Sequence, residues 1–160
     1  MSEVEKETGP HSFAMKGWIS CAPFERLLNM DIREAEDGRA ILTMPFYIDY
    51  AQGAGLMHGG ALVSLADTAV VMAIKSIIPE QSHFATIALE AKYLAPVKQG
   101  TVTARARVVK REGSILKGQA TLYNGDGRAV MEFSSVFKIA GDTKIRGVTF
   151  ESAGNGEQSG

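Results

Sequence analysis

Along the 160-residue chain the hydrophobic positions change period once. From about Gly59 to Ile77, GGALVSLADTAVVMAIKSI, apolar residues run on almost without interruption. This predicts one long helix, stopped by Pro79 because the residue before a proline is pushed out of the helical region. After it the period falls to two. Extended segments are expected at 84–94, 101–111, 115–123 and 128–139, separated by APVKQG, REGS and NGDG. In TVTARARVVKR, Val102, Ala104, Ala106 and Val108 fall on one face and Thr101, Thr103, Arg105 and Arg107 on the other, the mark of a half-buried strand. Asn-Gly and Asp-Gly in YNGDGRAV reach positive φ cheaply and predict a hairpin. Before the helix, Phe24, Leu27 and Leu28 in APFERLLNM have the spacing of a short amphipathic helix, and RAILTMPF follows an EDG turn as a strand paired with MDIREA.

One apolar helix with five or six strands, and hairpins among the last four, indicates an α+β fold with an antiparallel sheet. A single helix must then serve the whole sheet, which has to curl around it. That explains a helix apolar on nearly every face. Residues 17–140 form the single expected domain, with a flexible tail at 1–16 and a second tail at 141–160 whose end, ESAGNGEQSG, is too small and polar to repay the entropy of ordering.

Hydrophobic residues make up 45% of the chain, enough for one sizeable core, and 17 Lys and Arg against 18 Asp and Glu give no electrostatic reason to expect nucleic acid or a membrane surface as partner. One cysteine, Cys21, excludes an intrachain disulfide and fits a reducing cytoplasm, while His11, His58 and His83 have no zinc-ligand spacing. No metal or cofactor is expected. The start, MSEVEKETGPHSF, lacks the basic and apolar regions of a signal peptide. The longest uncharged stretch, Tyr50 to Ala66, falls short of the roughly 18–20 apolar residues that span a bilayer.

Composition therefore leaves the helix as the place to look for chemistry. Between Gly59 and Ile74 the only charged residue is Asp67, a poor helix former too far from the end to cap it. Burying its charge unpaired is costly, so its pKa should rise unless donors surround it. It is either a structural acid, paired at an interface or reaching a wet edge, or a catalyst. His58 precedes Gly59 and Gly60 at the expected helix start, where backbone N–H groups lack helical partners and the dipole favours negative charge. Such donors suit an oxyanion; the glycines equally suit a tight loop entering a helix. Nine residues separate His58 from Asp67, roughly 13 Å of rise and half a turn of net rotation, so one chain cannot bring them together. A shared site needs the acid of a second copy, at a twofold interface.

Other motifs fail. GAGLMH matches only two glycines of a dinucleotide fingerprint, no phosphate-binding loop or nucleophile elbow occurs, and Ser64 and Thr68 have no histidine at suitable spacing. Arg105, Arg107, Lys110, Arg111 and Lys117 make a basic patch, read as a solvated sheet face that a ligand's phosphates could also use.

The pattern Gln52-x-x-Gly55-x-x-His58-Gly59-Gly60, with Asp67 nine positions after the histidine, resembles the hotdog-fold thioesterases of the phenylacetic-acid-degradation (PaaI-like) group. The resemblance covers roughly residues 25–139, including LEAKYLAPVKQGTVTARARVVKREG. It implies a curved antiparallel sheet wrapped around one helix, a homodimer with a continuous sheet, and a homotetramer of two dimers. The implied activity is hydrolysis of acyl-CoA or acyl-carrier-protein thioesters without a cofactor, coenzyme A being part of the substrate. Asp67 would be nucleophile or general base, the Gly59 N–H would polarise the thioester carbonyl, Gln52 and His58 would orient carbonyl or water, and Thr86 would stand near the acid. Gly60 and Val71 would line the substrate site, and the phosphates of CoA would rest on Arg111 and Ser114. Glutamine at 52 departs from the asparagine common in PaaI-like members. Glutamine is more familiar from a related subgroup that often pairs it with glutamate. An acyl-CoA-binding module without turnover, a hotdog hydratase or dehydratase, and a purely structural oligomer are the competing readings.

Overall fold

The computed structural model describes residues 6–141 and 147–151. In chain order these form β1 (Phe13–Met15), α1 (Pro23–Leu27), β2 (Asp31–Glu36), β3 (Arg39–Pro45), a 3-10 turn (Ile48–Tyr50), α2 (Gly59–Lys75), β4 (Phe84–Tyr93), β5 (Thr101–Glu112), β6 (Ile115–Tyr123), β7 (Ala129–Ile139) and β8 (Val148–Phe150). Six strands make one antiparallel sheet in the order β2-β3-β5-β6-β7-β4, the α+β architecture expected. The sheet curves around α2, which packs on β3, β5, β6 and β7. Between them lie the fully buried Leu42, Met44, Leu65, Met72, Ile74, Leu116, Leu122, Met131 and Phe137. Alternation does the sorting: along β5, Val102, Ala104 and Ala106 are buried, while Thr101, Arg105 and Arg107 are exposed.

Turn chemistry appears where the sequence puts it. Asp37 and Gly38 both take positive φ (52° and 76°) in the β2–β3 hairpin. Asn124 Oδ1 accepts from the N–H groups of Asp126 and Arg128 (3.0 and 2.9 Å) in the β6–β7 turn.

Four features differ from expectation. The helix ends at Lys75, two residues before the expected Ile77, because Ser76 closes it. The Ser76 hydroxyl donates to Ala73 O (2.6 Å) and accepts from the Gly38 N–H (2.8 Å), fastening the β2–β3 turn to the helix end. The last four strands are not all joined by hairpins. β4 pairs with β7 alone, at the sheet edge opposite β2, and the chain crosses over to β5 because Val97, beside Pro96, is buried and its carbonyl accepts from the Met57 N–H (2.9 Å). In α1, only five residues long, Phe24 and Leu27 face outward (54% and 70% exposed), and Leu28 just beyond it reaches the core. Phe13–Met15, within the segment expected to be loose, forms a short parallel pair with Val148–Phe150. The anchor is long-range: the Trp18 indole N–H donates to Lys75 O (2.9 Å), and the Lys75 ammonium donates back to Trp18 O (3.0 Å) while lying 4.7 Å from the indole ring. Of the expected loose end at 151–160, residues 152–160 lie outside the described residues.

Helix and sheet approach closely at Gly118 on β6, where an added Cβ would overlap Val70 Cγ1. Gly118→Ala is therefore expected to destabilise the fold by about 1–3 kcal/mol through overpacking. Urea unfolding should show Val70→Ala recovering much of the loss in the double variant; equal costs in both backgrounds would mean that this contact does not set the helix–sheet distance.

Candidate active site

One strip of α2 stays off the sheet. Gly60, Ser64, Asp67, Val71 and Lys75 recur at three- and four-residue intervals and are half-buried or exposed, whereas Leu62, Leu65, Ala66, Ala69, Val70, Met72, Ala73 and Ile74 are buried. The strip runs beside β4. The strand's inward side brings Thr86 to the acid, and its hydroxyl donates to Asp67 Oδ1 (2.9 Å) and Oδ2 (3.2 Å). Burial pushes the Asp67 carboxyl above the ordinary aspartate value of 3.8, and the Thr86 hydrogen bond, which favours the charged form, opposes that rise. No basic side chain is among the causes of the shift.

The start of α2 is built differently. His58 is its N-cap, with Nδ1 accepting from the Gly60 N–H (2.8 Å). An accepting Nδ1 leaves the ring proton of the neutral imidazole on Nε2, as an outward donor. The cap also corrects the expectation for Gly60: its N–H is already used, so the free donor is that of Gly59, which has no acceptor among the described residues. The peptide carrying it is held firmly, because His58 O accepts from Ala61 and Leu62 (3.0 and 3.3 Å) and His58 N–H donates to Tyr50 O (2.7 Å).

Gln52 stands in the loop before the helix. Its side-chain carbonyl accepts from the Ala54 N–H and its backbone carbonyl from the Gly55 N–H, which leaves the amide nitrogen as its available group. Val71, one turn after Asp67, is half-buried against the core. Arg111 and Ser114 are exposed at the β5–β6 tip, with no side-chain hydrogen bond recorded among the described residues. Cross-strand register puts Arg111 in one row with Leu116, Phe137 and Thr86, three strand spacings or roughly 14 Å from Thr86, the acid's hydrogen-bond partner. One chain thus places Asp67 with Thr86 and Gly59 with His58 on different turns of one helix, with Gln52 in the loop before it. A cleft of about 440 Å³ lined by Trp18, His83 and Phe150 lies at the other end of the helix and does not include Asp67.

Comparison with known proteins shows what this arrangement is similar to. A family model for the thioesterase superfamily matches residues 54–131, the span that contains Gly59 and Asp67. The PaaI protein of the E. coli phenylacetic acid degradation operon superposes with a TM-score of 0.70 at 27% identity, over 78% of this chain and 88% of that one. The chain has the hotdog fold, and its middle portion is similar to the thioesterase superfamily. A relative in Halobacterium salinarum, provisionally named an esterase, is 34% identical over 52% of this chain and 58% of its own length. The chain spans about half the length of the curated relatives it matches. A hypothetical thioesterase of Streptococcus pneumoniae, solved with coenzyme A, shares the fold with a TM-score of 0.65 at 21% identity, over 71% of this chain and 87% of that one.

Among the described residues of this hotdog protein, no helix is long and apolar enough to cross a membrane. No three His, Cys, Asp or Glu side chains converge there in a way that could hold a metal ion. Sequence reasoning missed Tyr93, whose hydroxyl donates to Gly59 O (3.0 Å). Its signal is faint, since it lies 34 residues from its partner and at the end of an exposed strand.

The raised pKa of Asp67 has a consequence for stability. A folded-state pKa above the unfolded value means that the folded chain binds the proton more tightly, so stability falls as pH rises through the window above 3.8 and stays reduced at neutrality. Asp67→Asn is expected to melt at or above the wild-type temperature at pH 7, with the advantage shrinking as pH falls through that window and gone once it reaches the ordinary aspartate value. A variant that melts lower at pH 7 would show that the charge is stabilised by its surroundings.

Proposed function

We propose that the chain is an acyl-CoA thioesterase whose site forms between two copies. The observation that carries this reading is the lone acid of an apolar helix, held by one hydroxyl with its pKa raised by burial, which suits a general base near neutral pH. Its carboxylate takes a proton from water as the water oxygen adds to the thioester carbonyl carbon. The carbonyl oxygen gains negative charge opposite the Gly59 N–H at the positive end of the helix dipole. Collapse of the adduct breaks the C–S bond, and the departing thiolate of coenzyme A receives the proton. His58 Nε2–H and the Gln52 amide are donors on the Gly59 side that orient the carbonyl or the water. The coenzyme A bound in the Streptococcus relative supports this substrate class, and Arg111 and Ser114 are proposed to meet its phosphates.

The second copy follows from two features. β4 is a ten-residue edge strand whose Ile87, Leu89 and Tyr93 are 57%, 48% and 54% exposed, an edge that asks for a partner strand. Antiparallel pairing of two such edges sets the unpacked strips of the helices against each other. Val63 is midway between Gly59 and Asp67, so a twofold axis near it places each acid against the other chain's Gly59. Two such dimers are proposed to stack into a tetramer. The free, half-buried Cys21 suits a reducing cytoplasm.

Free-thiol release from short, medium, long and aromatic acyl-CoAs tests the function: Asp67→Asn is expected to lose on the order of 10²–10⁴ in rate. The acid limb of the pH profile should lie above 3.8, and Thr86→Val should raise it further by removing the hydrogen bond that lowers the pKa. No turnover on any acyl-CoA, or an unimpaired Asp67→Asn, sinks the proposal. Sharing between copies is tested by mixing inactive Asp67→Asn with Gly59→Ala chains, inactive because the added Cβ collides with Tyr93 and displaces the donor, after unfolding and refolding together. Half of the random dimers then carry one intact site, which restores about a quarter of wild-type activity; a site confined to one chain restores none.

A further inference from the structure

Gly59 is not a glycine for backbone reasons, since it is absent from the positive-φ glycines. The space its side chain would take is occupied: an added Cβ would stand 2.8 Å from the Tyr93 hydroxyl oxygen, 3.0 Å from Cζ and 3.1 Å from Cε1. Tyr93 lies on the inward side of β4, opposite the buried Met131, and its hydroxyl donates to Gly59 O (3.0 Å). Four residues on, Val97 O accepts from the Met57 N–H (2.9 Å), while Leu94 N–H is tied to Val130 O (2.9 Å). The β4–β5 crossover thus grips the chain on both sides of His58, by a hydrogen bond at Met57 and by a phenol against Gly59. More than half of the Tyr93 side chain remains exposed, so burial alone does not account for the contact.

Resting on the thioesterase reading, we infer that Tyr93 is a positioning residue that fixes the peptide planes on either side of Gly59 Cα. It does so within one chain, before a second copy supplies the acid. The helix amides of Ala61 and Leu62 hold His58 O on the donor peptide, and the Tyr93 hydroxyl holds Gly59 O on the next peptide with its ring against Gly59 Cα, so both planes that meet at that Cα are restrained. A donor so held needs no reorientation as negative charge develops, the condition under which a single N–H contributes most to the rate. The two glycines therefore have separate duties. An added Cβ at Gly60 would meet the His58 ring at 2.9 Å, so Gly60 makes room for the cap, whereas Gly59 makes room for Tyr93.

The test compares wild type with Tyr93→Phe on the acyl-CoA that wild type hydrolyses fastest. Loss of the hydroxyl is expected to lower kcat about tenfold, a transition-state effect, with KM within about twofold and the acid limb unmoved because Asp67 is untouched. A purely structural tyrosine would lower Tm and leave kcat at saturation unchanged, and that result overturns the inference. Wild type without turnover would defeat the thioesterase reading instead. The interlock is then decided by a thermal cycle in the same full-length chain: Gly59→Ala is expected to lower Tm in wild type and to have little further effect in Tyr93→Ala. An equal loss in both backgrounds overturns the steric link between the two residues.

Discussion

Helix α2 has to give up its apolar surface to the sheet over most of its circumference while keeping one strip off it. A helix that was apolar all round would be indifferent to which side faced the sheet edge. Asp67 removes that indifference, since a charge is tolerated only where solvent or donors can reach it. The strip from Gly60 to Lys75 is accordingly the one beside β4, the outermost strand, where Thr86 supplies a hydroxyl. The opposite side of the helix meets the middle strands so closely that Gly118 can carry no side chain. Helix rotation, sheet curvature and the position of the acid are thus one packing solution.

Local signals carried most of the fold into view from the residues alone. Asp37-Gly38 marks a hairpin because positive φ is cheap there, the Asn124–Gly127 turn because the Asn124 side chain accepts turn amides and Gly127 takes positive φ, and the alternation in β5 separates core from solvent residue by residue. The crossover after β4 was not legible. APVKQG resembles a turn, and what makes it a crossover is the burial of Val97 beneath the loop leading to the helix, a contact between residues forty apart. The strand at Phe13–Met15 was hidden for a related reason. Its partner lies at the far end of the chain, and the Trp18–Lys75 pair that anchors the arm is a single long-range contact.

For the site, legibility followed chemistry rather than distance. Asp67 stands out because a charge in an apolar helix violates the pattern, and His58-Gly59-Gly60 because it sits where a helix starts. The division of labour between the two glycines could not be read from the sequence. His58 consumes the Gly60 donor and Tyr93 fills the space beside Gly59, and neither contact has a periodic signature.

The separation of Gly59 and Asp67 along α2 also constrains how the proposed site can exist. Eight residues of helix, about 12 Å, stand between Gly59 and Asp67, and a rigid helix cannot fold back to close that distance. Each half therefore has to be finished within its own chain: the acid by Thr86, and the donor by the His58 cap and the Tyr93 contact. In the proposed dimer, association has only to juxtapose two preformed parts, and the exposed edge of β4 lies alongside the strip that carries them both. A partner strand at that edge would satisfy unpaired backbone groups and cover Leu89 and Tyr93 in the same step, so the surface that most needs covering is the one whose covering brings acid and donor together.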